Sequence, residues 1–460
     1  QKYSNQGISV NLYSKLAARA ANQNPVTVGV IGGGKFGSMF LAQARLTIGL
    51  QVAAVIDLAP ERAHANLAAT GWSKEQYSAS SIADALKSGG TYVGDDAAAM
   101  IATGGIDVVV DATGDPSAGI RHALLCCEHG KNVIMVNVEA DALAGPLLAR
   151  RAEEAGVIYS LAYGDQPALI CEQVDWARAI GFKVVSAGKG TRYLPEFHQS
   201  TPDNVFENYF VDAEVAKRGN MNPKMSTSFI DGTKSAIEMT AVCNATGLTP
   251  QPHGLSFPPV SCYELADVLK PSSAGGSLSH AGTTEVISCL HRDGTDVEHH
   301  LQMGVYVVVE ADNDYVSHCF EEYNLLHDKS AKYSAMYKPT HLIGLELGIS
   351  VASIALRGEA TGTPTGFRSD VVATAKRDLK PGEMLDGEGG YCVWGKQMPA
   401  HTSVSMGALP LGLAHNVKLK NEVKQGQQVC WTDVEIDETD MAVRFRRQME
   451  QAFSADEAAE

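Results

Sequence analysis

The chain has 460 residues, 45% hydrophobic and 20% charged, which is core material for about two to four globular domains. Its formal net charge of −16 argues against nucleic acid or an anionic membrane as partner, since both need a basic footprint. No apolar run approaches the roughly 18 residues of a membrane span, and nine scattered cysteines read as reduced thiols in a cytoplasmic protein.

Residues 1–25 read as an N-terminal arm, with a polar start that lacks a signal-peptide pattern and a short amphipathic helix over 12–20. A β-branched run over 26–31 then leads into glycines at 32, 34 and 37, followed by the helical apolar pattern Phe36, Met39, Phe40, Ala44. Strand, Gly-x-Gly-x-x-Gly and helix in succession predict a dinucleotide loop: Gly32 for the tight turn, Gly34 for approach of a pyrophosphate, Gly37 for close helix packing. Lys35 and Phe36 lie in the same loop. A second strand ends at Asp57, twenty residues after Gly37, where an acid can accept from the adenosine ribose; Arg62 stands within reach of a 2′-phosphate.

The spacing predicts strands over 26–31, 51–56, 107–111, 132–137 and 156–161, and helices over 36–47, 60–70, 80–88, 117–129 and 142–155. Alternation of this kind implies a doubly wound parallel sheet over 26–165. Thr113, Gly114 and Asn137 fall at strand ends, where such domains bind their ligands.

Beyond 165 the pattern changes. Helices are expected over 169–181 and 235–247, strands over 182–190 and 299–311, and a buried helix over 341–358 that could return to the nucleotide domain. Residues 166–358 therefore read as an α+β domain for substrate and dimerisation. Short strands around the turns Lys380-Pro381-Gly382 and Lys424–Gly426 make 359–460 a small β-rich domain, ending in a frayed acidic tail at FSADEAAE.

Several clusters could carry chemistry. Glu139 and Asp141 follow a strand and aim into one pocket if the segment stays extended; otherwise they decorate a helix N-terminus. Asp231 opens a turn before Lys234, and Glu238 shares the helix face of Lys234; the bland alternative is an exposed ion pair. Lys189, Thr191 and Arg192, in GKGTR, read as a glycine-basic loop suited to a phosphate or carboxylate, against a plain solvated turn. His198 and Asp203 follow it, and Asp165 reads first as a helix cap.

The stretches VIGGGKFGSMFLAQ, VVVDATGDPSAGIRHAL, VNVEADALAGPLLARRAEEAGVIYSLAYGDQPALICE, GKGTRYLPEFHQSTPD, DGTKSAIEMTAVCNATGL and HLIGLELGISVASIALRG resemble a family of oxidoreductases related to homoserine dehydrogenase that carry a C-terminal SAF domain. Its best-defined members are similar to 1-deoxy-D-xylulose 5-phosphate reductoisomerase. The resemblance implies NADPH or NAD, a divalent metal (Mg or Mn) on Glu139, Asp141 and Glu238, and a catalytic group of Lys234, Asp231 and Glu139. It also implies a phosphorylated hydroxyketone held by Lys189, Thr191 and Arg192. The alternatives are a metal-free dehydrogenase of a sugar acid or polyol phosphate, and a dinucleotide sensor without turnover. Either enzyme reading expects a cytoplasmic homodimer acting on a small molecule.

Overall fold

The computed structural model describes residues 11–208, 213–218 and 221–457. The polar start over 1–10 and the last three residues of the expected acidic tail lie outside the described residues. Two compact units emerge. The first takes the chain up to Ala140, Leu147–Ala168 and Leu342–Thr363; the second takes Asp141–Pro146, Leu169–His341 and the chain from Pro364 onward.

The first unit is built on six parallel strands: β1 (Val26–Ile31), β2 (Leu50–Ile56), β3 (Tyr92–Gly94), β4 (Val108–Asp111), β5 (Asn132–Met135) and β6 (Tyr159–Leu161). Their spatial order is β3-β2-β1-β4-β5-β6, with the order reversing between β1 and β4. Val, Ile and Ala fill these strands because parallel strands covered on both faces have no solvated side. Strand β3 was not anticipated. The 341–358 segment does return here: the helix Gly348–Arg357 buries Val351, Ala352 and Ile354 in the same core as Val28, Val30, Phe40 and Val110.

The second unit holds a mixed sheet of β7 (Lys183–Thr191), β8 (Thr283–Ser288), β9 (Val305–Glu310), β10 (Leu326–His327) and β11 (Tyr333–Lys338). Its order is β10-β11-β9-β7-β8, with β7 and β8 parallel. The same unit carries an antiparallel pair, β12 (Ser369–Ala375) with β14 (Val393–Pro399), and a trio of β13 (Met384–Asp386), β15 (His415–Leu419) and β16 (Val434–Glu435). The Lys380–Gly382 turn forms, with Glu383 N–H donating to the Lys380 carbonyl at 3.2 Å.

The C-terminus departs from expectation. The described part of the acidic tail continues a 17-residue helix, Met441–Glu457. Its Arg446 is fully buried. The guanidinium grips Asp370 through Nη1–Oδ1 at 3.0 Å and Nη2–Oδ2 at 2.5 Å, Glu450 at 2.9 Å and the Leu143 carbonyl at 3.1 Å. Burial works against its charge, but Asp370 and Glu450 outweigh it and hold the group protonated above its usual range. Among the described residues, no helix is long and apolar enough to cross a membrane.

Candidate functional site

In the first unit the glycine loop joins β1 to the helix Lys35–Ala44. Gly32 has φ +98°, and a Cβ there would lie 2.6 Å from the Ala112 carbonyl oxygen. A Cβ on Gly37 would strike the Gly32 carbonyl. Gly34 is different: it caps the helix without a side chain, and nothing lies within 4 Å of its Cβ direction. An open face over a helix N-terminus, beside a β2 acid, fits a dinucleotide pyrophosphate. Lys35 is exposed in the first helical turn, and Phe36 packs partly against the core.

Asp57 is nearly buried, and its carboxylate is engaged. Oδ2 accepts from Gly33 N–H at 2.8 Å; Oδ1 accepts from Ala59 N–H at 2.9 Å and pairs with Arg62 at 2.5 Å. The acid therefore braces the glycine loop. Arg62, its partner, is 59% exposed. At the β4 end, Asp111 accepts from Thr113 N–H at 3.1 Å and from its hydroxyl at 2.8 Å, and lies 2.6 Å from His122 Nδ1. Asn137 donates to Thr113 Oγ1 at 3.1 Å and to the Asp115 carbonyl at 2.7 Å. These bonds fix the loop that carries Gly114.

The acid pair reads differently in three dimensions. Asn137 caps the helix Val138–Glu154, so Glu139 and Asp141 sit in its first turn rather than on an extended segment. Two residues apart on a helix, their side chains diverge. The expectation of an extended segment is corrected: both acids stand at a helix start, Glu139 partly buried and Asp141 fully buried.

In the second unit, GKGTR is not a loop. Gly188, Lys189, Gly190 and Thr191 form the end of β7, between β8 and β9, and only Arg192 lies beyond the strand. Glycine serves close approach here: a Cβ on Gly188 or Gly190 would strike the Glu285 or Leu301 carbonyl. The backbone donors are used in the ladder, and the buried Lys189 ammonium pairs with Glu238. Glu238 and Lys234 lie one turn apart on the helix Thr233–Thr246. The three expected metal carboxylates thus do not fit a Mg or Mn shell. Glu238 is held by an ammonium, and among the described residues no three His, Cys, Asp or Glu gather as ligands.

The turn before that helix is tightly built. Asp231, fully buried, caps it through Oδ1 to Thr233 N–H at 2.9 Å, and its Oδ2 lies 2.8 Å from Lys376 Nζ. Lys376 also donates to the Ser200 and Gly390 carbonyls, at 2.6 and 2.8 Å. His198 Nδ1 is 2.7 Å from the Asp231 carbonyl, which can only accept, so Nδ1 carries the proton and Nε2 accepts from the Tyr193 hydroxyl at 2.9 Å. Burial lowers the His198 pKa, consistent with a neutral ring, and pushes Tyr193 up to about 12. The imidazole stacks on Trp394, with centroids 3.8 Å apart. Sequence reading gave His198 no role and missed Tyr193, Lys376 and Trp394. Lys376 lies far along the chain from Asp231, and no local pattern joins them.

The fold and glycine loop have the form of a dinucleotide-binding domain, and comparison with known proteins adds to that. Residues 164–347 match the family model described as "Oxidoreductase DRL, catalytic domain". No curated protein matches the chain. Among solved structures, a Sinorhizobium meliloti 1021 protein with a provisional myo-inositol dehydrogenase assignment is 11% identical, covering 73% of this chain and 90% of its own, with a TM-score of 0.38. Biliverdin reductase from Synechocystis sp. PCC 6803 is 18% identical, over 42% of this chain and 55% of its own, with a TM-score of 0.26. The WlbA dehydrogenase of Bordetella pertussis is 18% identical, over 37% and 45%, with a TM-score of 0.27. Likenesses this distant leave the assignment to the matched catalytic domain and to the six-stranded sheet itself. On those grounds the chain is an NAD(P)-dependent oxidoreductase.

Proposed function

We propose that this oxidoreductase interconverts a secondary alcohol and a ketone on a small anionic polyol or sugar acid, without rearranging the carbon skeleton. The observation that carries this reading is the commitment of the buried carboxylates: Glu238 to Lys189 and Asp231 to Lys376. Carboxylates spent on ammonium groups do not form the oxygen-rich shell that a chelated hydroxyketone would need. A bound nicotinamide supplies or accepts the hydride. Gly32, Gly34 and Gly37 would shape its loop, Lys35 and Phe36 would flank it, and Asp57 and Arg62 would meet the adenosine ribose. Thr113, Gly114 and Asn137 would line the strand-end position.

Lys234 would hold the substrate oxygen, giving it a proton as the ketone is reduced and taking the proton back in the reverse direction. Asp231, pinned by Lys376 and Thr233, would hold the turn that presents Lys234. A homodimer belongs to the same proposal and is read by molar mass in solution.

The test uses NADH and NADPH with a panel of keto acids and ketose phosphates. Turnover is expected to survive EDTA unchanged, and the product is expected to keep the carbon connectivity of the substrate. Loss of activity restored by Mg²⁺, with a rearranged product, would instead favour the reductoisomerase reading.

Cofactor preference follows from Asp57. Asp57→Asn keeps an acceptor for Gly33 N–H but loses the charge that repels a 2′-phosphate and holds Arg62. The ratio of the two dissociation constants should therefore move toward NADP by about tenfold, equivalent to about 1.4 kcal/mol. Calorimetric titration with both dinucleotides measures it. An unchanged ratio would remove Asp57 and Arg62 from the ribose site.

A further inference from the structure

The strand order of the first unit reverses between β1 and β4, and two loops lie side by side at that switch. One is the glycine loop after β1; the other is 112–115, after β4. Ala112 N–H donates to the Ile31 carbonyl at 2.8 Å, and a Cβ on Gly32 would lie 2.6 Å from the Ala112 carbonyl oxygen. A dinucleotide lies across such a switch, one nucleotide on each side. With the adenosine ribose proposed at Asp57, on the β2 side, the nicotinamide half falls to the β4 side. The second loop is open there: Gly114 is exposed at φ +71°, and nothing lies within 4 Å of its Cβ direction.

A chain of hydrogen bonds shapes this loop from the core outward. His122, on the helix Pro116–Glu128, and Asp111, at the end of β4, are both buried. His122 Nδ1 lies 2.6 Å from Asp111 Oδ2; the carboxylate oxygen accepts, so Nδ1 carries the proton. The other oxygen, Oδ1, accepts from Thr113 N–H at 3.1 Å and from the Thr113 hydroxyl at 2.8 Å. That hydroxyl has thus given its proton to Asp111, and it accepts from Asn137 at 3.1 Å. Thr113, half-buried, is held from two sides, and the carboxylate on one of them is oriented by His122.

We propose that His122 is a positioning residue for the nicotinamide half of the dinucleotide, acting through Asp111 on Thr113 and the face beside Gly114. The inference rests on the strand-end position proposed above and on no step of the substrate chemistry.

NADH, NADPH and ADP (with its 2′-phosphate where NADPH binds more tightly) are titrated by calorimetry into the wild-type protein, His122→Leu and His122→Asn. The tighter dinucleotide is expected to bind wild type better than the ADP fragment does. In His122→Leu it should bind about tenfold more weakly, while the fragment, held at the glycine loop and Asp57, keeps its affinity. His122→Asn should recover most of the loss, because its amide N–H replaces the Nδ1 donor. A brace that serves folding alone would weaken dinucleotide and fragment together. Thr113→Val leaves Asp111 paired with His122 and repeats the comparison should His122→Leu not fold. Equal losses for dinucleotide and fragment, no loss for either, or a wild type that binds both equally well overturns the proposal. Failure of the dehydrogenase reading would appear instead as absent ketone reduction, with these titrations unaffected.

Discussion

Arg446→Leu should cost about 3–5 kcal/mol of stability, the largest single loss expected from a substitution outside the proposed chemistry. Removing one member of a buried ion pair leaves the other charged and unsolvated. Here the abandoned group is Asp370, which is 1% exposed. It would keep the Ser403 hydroxyl at 2.7 Å and the Val371 N–H at 2.9 Å, but lose both guanidinium bonds. Glu450 and the Leu143 carbonyl would lose a donor in the same step. Urea denaturation of the second unit's transition measures the loss. A double variant, Arg446→Leu with Asp370→Asn, should recover part of it, because the orphaned charge is then gone. A single-variant loss below about 1 kcal/mol would mean that water reaches Asp370.

That same arginine shows where sequence reading stops. β1, the glycine loop and β2 were legible because each is local: β-branched residues, a spaced glycine triplet and an acid at a fixed offset. β3 is only three residues long and carries no periodicity. The Met441–Glu457 helix was missed because its pattern places a charge where a buried face should be. The Asp370 that makes Arg446 tolerable there lies 76 residues away. GKGTR misled for a related reason. Glycines and cations side by side suggest a solvated loop, whereas in β7 the glycines admit neighbouring carbonyls and the lysine is neutralised by Glu238. Asp231, Lys234 and Glu238 were picked out by type and spacing, but Lys376 and His198, which hold Asp231, and Lys189, which holds Glu238, arrive from other parts of the chain.

Lys234→Met is expected to lower kcat by about 10²–10⁴-fold, the usual contribution of a positioned proton donor. Dinucleotide affinity should not change, since none of the residues proposed to hold the dinucleotide is replaced. The buried alkyl stem is kept by methionine, so packing around a side chain that is 9% exposed is nearly conserved. Lys234→Arg should restore little, because a guanidinium stays charged and cannot pass a proton at neutral pH. Glu238→Gln distinguishes a proton role from a purely electrostatic one. It removes a carboxylate charge one turn from Lys234, the one that Lys189 pairs with, so Lys234 should ionise less readily. The acidic limb of the alcohol-oxidation pH profile should then move to lower pH, while the nicotinamide affinity stays put. If Lys234→Met keeps kcat within about threefold of wild type, the proton is handled by another group, and the Tyr193–His198 pair beside Asp231 is the next place to substitute.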